Sequence, residues 1–118
     1  MQIFDTWDII KVPFPCTDRP VRERRPALVV APGPLQERHG LLWVMMITSS
    51  ENRGWSGDVV VSDLIVSGLP VASIVRTAKI ATIEARESER IGTLPSGDRE
   101  AISAHLQTIL AGTLEASR

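Results

Sequence analysis

Tyrosine is missing from this 118-residue chain and phenylalanine occurs only twice, so flat surfaces for stacking rest on three tryptophans. One cysteine, Cys16, excludes an internal disulfide framework and a cysteine-rich metal site, and suits a reducing compartment. Of the two histidines, His39 lies in "ERHG" and His105 near the C-terminus; each reads as a surface residue. With no partnering pattern between them, no metal ion and no other cofactor is expected. A formal charge of −1 gives no global sign of a polyanion binder, so any nucleic-acid site has to be a local basic patch. The longest unbroken apolar run, Leu41 to Ile47, is far short of a membrane span. "MQIFDTWDII" has no basic segment ahead of an apolar one, so no signal peptide is indicated. With 43% hydrophobic residues, one core within a single domain, 1–118, is expected, soluble and cytoplasmic.

What is present is a series of short apolar runs. "WDIIKVPF" (7–14), "ALVVA" (27–31), "LLWVMMITSS" (41–50), "DVVVS" (58–62), "SIVRTAKIATIE" (73–84) and "RIGTL" (90–94) read as strands. Trp43 falls inside its run and is assigned to the core, and Trp7 supports the first strand or a dimer seam. "PCTDRPVRERRP" reads as a loop and "PGP" as a turn. Ser62 is placed to cap one helical turn ended by Gly68. From Ser96 the period changes: Ile102, Leu106, Ile109, Leu110 and Leu114 follow helical spacing. Many short strands and one terminal helix suggest a small, strongly bent sheet or barrel packed on that helix.

"RPVRERRPALVV" (19–30) puts four arginines in seven positions directly against an apolar strand. Taken with "WDIIKVPFPCTD", "MMITSS", "GLPVASIVRTAKIATI" and "RIGTL" before a helix, it resembles the MazF/PemK family of toxin–antitoxin toxins. The likeness runs from about Trp7 to Leu114 and lies in the order and spacing of five segments. It implies an α+β fold, mainly β: an SH3-like barrel with a C-terminal helix, assembled as a homodimer. It also implies metal-independent cleavage of single-stranded RNA to 2′,3′-cyclic phosphate and 5′-hydroxyl ends, blocked by a cognate antitoxin.

By that resemblance, Arg25 of the "RP" pair touches the scissile phosphate, Thr48 assists beside it, and Arg76 contributes from the facing strand. Anchored by a buried strand, the Arg25 guanidinium is preorganised to stabilise charge. Arginine stays protonated, so Arg25 and Arg76 are stabilisers and not bases. Some relatives carry an aspartate where this chain has Ala78, and the family's "GSEQ" is replaced by "DRPVRE"; no general base is named by the sequence. Asp18 and Glu23 read as tethers for neighbouring arginines. Arg19, Arg22 and Arg24 would supply the electrostatic part of RNA binding, with Ser49 and Ser50 alongside. Trp55 either stacks on an unpaired base or packs against the barrel or the partner. Two other classes stay open: a catalytically silent antitoxin-binding module, and a gyrase poison of the CcdB kind. The latter depends on a C-terminal Trp-Gly-Ile, whereas this chain ends "LEASR".

Overall fold

A computed structural model describes residues 2–14 and 23–116. Cys16, Asp18, Arg19 and Arg22 therefore lie outside the described residues. Six strands form one antiparallel sheet: β1 (Asp8–Phe14), β2 (Glu23–Ala31), β3 (Leu41–Ser49), β4 (Asp58–Val60), β5 (Ser73–Glu84) and β6 (Glu89–Thr93). Their spatial order is β4-β5-β3-β2-β1-β6. Among the described residues, α1 (Gly33–His39) and α2 (Leu64–Ser67) lie between strands, and α3 (Ser96–Ala116) follows the last one.

Both faces of the central strands are buried, because successive side chains point to opposite sides. Ile10, Val12, Ala27, Val29 and Val44 meet Phe4 and Ile83 in one cluster. Ile9, Leu28, Met45, Ile47 and Val75 meet Leu94 and Ile102 in the other. This explains why "ALVV" and "LLWVMMI" run apolar instead of alternating. The long strand β5 is broken near its middle. Met45 pairs with Ile80 and Met46 with Arg76, so Thr77, Ala78 and Lys79 bulge out of the ladder.

The expected barrel does not close. β4 and β6 are the two ends of the sheet, and α2 packs against β6 in place of a seventh strand pairing. Gly68 and Gly92 make that contact possible. A Cβ on Gly68 would run into the backbone carbonyl of Ile91, and one on Gly92 into that of Ser67. Gly68 also ends α2 in the left-handed region, at φ 72°, as its position in the sequence implied. The N-terminal cap of α2 is Asp63, not Ser62: its carboxylate accepts from the N–H groups of Ile65 and Val66.

Three further expectations are corrected. "PGPLQERH" is not a bare turn but contains α1, with Pro34 in its first turn and Gly40 left-handed at its end. Gln36 then ties α1 to Phe4 through hydrogen bonds of 2.8 and 2.9 Å. Trp43 is not core but 43% exposed: it points away from the face on which Leu42 and Val44 are buried, and borders Pro34, Leu35 and Arg38 of α1. Residues 23–26, read as loop, extend β2, because β1 supplies a partner for each of them. In α3, Ile102 is buried and Leu106 half-buried, while Ile109 and Leu114 are exposed.

Candidate active site

The site is a parting between β2 and β3. The two strands are paired as far as Ala27–Met46. Continuing that register would bring Arg25 opposite Thr48, but the next residue is Pro26, which has no N–H with which to carry the ladder on. β2 stays with β1, through Lys11–Pro26 and Val12–Arg25, while β3 stays with β5, through Thr48–Ile74 and Ser49–Ser73. A cavity of about 460 Å³ opens in this fork. Arg24, Arg25 and Pro26 line one prong and Ile47, Thr48 and Ser49 the other. Lys11, Asn52 and the Leu69–Val71 turn complete the wall.

Arg25 thus stands on a paired backbone, opposite Val12. Its guanidinium donates to Glu23 at 3.1 Å, two residues away and therefore on the same face of β2. Arg24 donates to Glu89 at 3.3 Å. Exposed ion pairs of this kind contribute about 0–1 kcal/mol each. Glu23 is the tether the sequence suggested.

Arg76 lies behind the cavity and not in its wall. Nε and Nη2 donate to the two Asp58 carboxylate oxygens at 3.2 and 3.1 Å, and Nη2 also donates to the Asn52 carbonyl at 2.7 Å. The indole of Trp55 covers the guanidinium, 4.2 Å from ring centroid to the central carbon. The side chains of Arg76 and Asp58 are only 12% and 9% exposed. Asp58 accepts further from the N–H groups of Gly54 and Trp55. The Arg76 hydrogen bonds hold its carboxyl below the usual range, burial opposing and the two backbone donors assisting. Asn52 links this cluster to the cavity: its side-chain amide donates to the Thr48 hydroxyl at 2.9 Å.

Of the residues singled out from sequence, the fork brings together Arg24, Arg25, Thr48 and Ser49. Trp55 and Arg76 form a separate, adjoining stack, and Ser50 begins the one-turn helix that carries Asn52. The surface reading of His39 and His105 divides. His39 is exposed, whereas His105 is half-buried against Gly57, whose carbonyl accepts from Thr77 at 2.8 Å. Sequence reasoning missed Lys11, Asn52 and Asp58. Asp58 had a usable signal, an acidic residue at the mouth of a strand beside a lone strand arginine. Asn52 had none.

Residues 5–110 match the family model for PemK-like, MazF-like toxins of type II toxin–antitoxin systems. Among solved structures, MazF of Deinococcus radiodurans is similar at a TM-score of 0.74 and 21% identity, with 94% of this chain and 99% of that one covered. A MazE–MazF complex of the same organism gives 0.72 and 20%, covering 93% and 97%. A mycobacterial endoribonuclease in complex with its cognate antitoxin gives 0.66 and 16%, covering 90% and 93%. No curated protein matches the chain significantly.

Proposed function

Because the chain belongs to the PemK-like, MazF-like family of type II toxins, we propose that the fork is the active site of an endoribonuclease acting on single-stranded RNA. The observation that carries the reading is the cavity in which Arg25 and Thr48 face each other across two diverging strands. A ribose 2′-hydroxyl gives up its proton to water and its oxygen attacks the adjoining phosphorus, forming the 2′-O–P bond as the P–O5′ bond breaks. The products are a 2′,3′-cyclic phosphate and a 5′-hydroxyl, the leaving oxygen taking up a proton. Charge builds on the non-bridging oxygens of the five-coordinate phosphorus. The planar fork of Arg25 and the hydroxyl of Thr48 are the donors that meet it. The cations Lys11, Arg24 and Arg25 in the cavity wall supply the positive charge a metal would otherwise bring, so the reaction proceeds without one.

Arg19 and Arg22, outside the described residues, would add positive charge for the RNA backbone, and Ser49, in the cavity wall, and Ser50 after it would contact the RNA. The toxin works in the cytoplasm as a homodimer. An antitoxin segment, acidic and disordered before binding, occupies the same cavity and excludes RNA. Incubated with RNA in EDTA, the protein is expected to release fragments ending in cyclic phosphate. Arg25→Ala should cut that rate by roughly 10²–10³-fold with an unchanged unfolding midpoint. Cleavage that survives the substitution at full rate defeats the assignment.

A further inference from the structure

We propose that Asn52 is a positioning residue that sets the direction of the Thr48 hydroxyl, and that the Arg76–Asp58 pair serves to hold Asn52. The inference rests on the reading of the fork as a phosphate-handling site. A threonine hydroxyl has one proton to donate and two lone pairs that accept. Here the Asn52 amide donates to that oxygen at 2.9 Å, taking up one accepting position. The hydroxyl proton cannot point back at an N–H donor, so it turns away from the loop. Thr48 then offers the cavity a donor, as Arg25 does. The donors that Lys11, Arg24, Arg25 and Thr48 bring to the cavity wall suit a ligand rich in acceptors, which a phosphodiester is.

Asn52 is exposed and sits in a one-turn helix, so nothing in its own burial fixes it. Its carbonyl is instead gripped by Arg76 at 2.7 Å. Arg76 is itself locked against Asp58, and the Trp55 indole closes over it. The loop is clamped at both ends by one guanidinium: Asn52 near its start and Asp58 at its close. Arg76 so positioned acts on the reaction through Asn52 and Thr48 and not by touching substrate.

The test is a cycle of Asn52→Asp, Thr48→Val and the double variant in the full chain. Aspartate has the shape of asparagine but only accepts, so it draws the Thr48 proton to itself. Asn52→Asp is expected to lower kcat/KM on an RNA oligonucleotide about tenfold or more, the loss of a hydrogen bond to a charged group. In the Thr48→Val background the same change should cost less than twofold. Asn52→Ala, which frees the hydroxyl to rotate, should fall between wild type and Asn52→Asp. Titration with inorganic phosphate repeats the cycle without chemistry. A wild type that binds phosphate with this coupling yet cuts no RNA would defeat the nuclease reading and leave the inference standing. Equal losses in both backgrounds would mean that the new carboxylate merely repels phosphate, and would overturn it. So would an Asn52→Asp protein as active as wild type.

Discussion

A single carboxylate carries much of the order behind the cavity. Asp58 satisfies Arg76 and two loop N–H groups, with 9% of its side chain exposed. Removing one partner of a buried pair leaves the other charge stranded. Asp58→Asn is therefore expected to cost about 3 kcal/mol, the low end of the range because the Trp55 loop borders solvent. Urea unfolding measures it. The sign of the pH dependence follows from the depressed carboxyl. A carboxyl held below its unfolded value adds stability that is full above that value and fades as pH falls through the folded one. The gap between wild type and Asp58→Asn should therefore hold steady above pH about 5 and shrink once pH drops below the ordinary aspartate value of 3.8. A gap that widens in acid contradicts the pairing. At this scale the sequence was half legible. Arg25 and Thr48 stand in segments whose order resembles a known family. Asn52 does not, because its link to Thr48 runs through a one-turn helix whose place is set by contacts distant in sequence, the Arg76 clamp among them.

At the scale of elements, β2, β3, β5 and α3 could be read from apolar runs and from a change of period, because burial enforces both. Two failures have physical causes. Glu23–Pro26 looked like loop because charge and proline mask a strand whose hydrogen bonds go to β1 alone. α1 was passed over although proline in its first turn and Gly40 after its last were visible, since it buries no residue and so shows no apolar stripe. The barrel expectation failed at α2, a four-residue helix pressed on β6. There Gly92→Ala is expected to destabilise by roughly 1–3 kcal/mol, since the added methyl meets the Ser67 carbonyl, which cannot rotate aside. The denaturant midpoint should fall, with the slope unchanged. A neutral Gly92→Ala would mean that the helix stands off from the strand.

The whole molecule is slightly acidic, yet its cavity gathers Lys11, Arg24 and Arg25. Binding to a single-stranded oligonucleotide should thus weaken with salt far more than the net charge suggests. At about 0.7 per neutralised phosphate, three cations give a slope of log K on log salt near about −2, and Arg19 with Arg22 steepen it to about −3.5. Arg24→Ala should flatten it by about 0.7. An unaltered slope would place Arg24 off the path of the nucleic acid. The failure of the sheet to close has an outcome of its own. One free margin is a strand of only three residues, β4, and the other is shielded by a helix. β4 pairs with Ile74–Arg76 alone, so the stretch of β5 from Ile80 to Glu84 has β3 on one side and no described strand on the other. Along that stretch the guard against edge-to-edge growth falls to charge, with Lys79 at one end and Glu84 at the other.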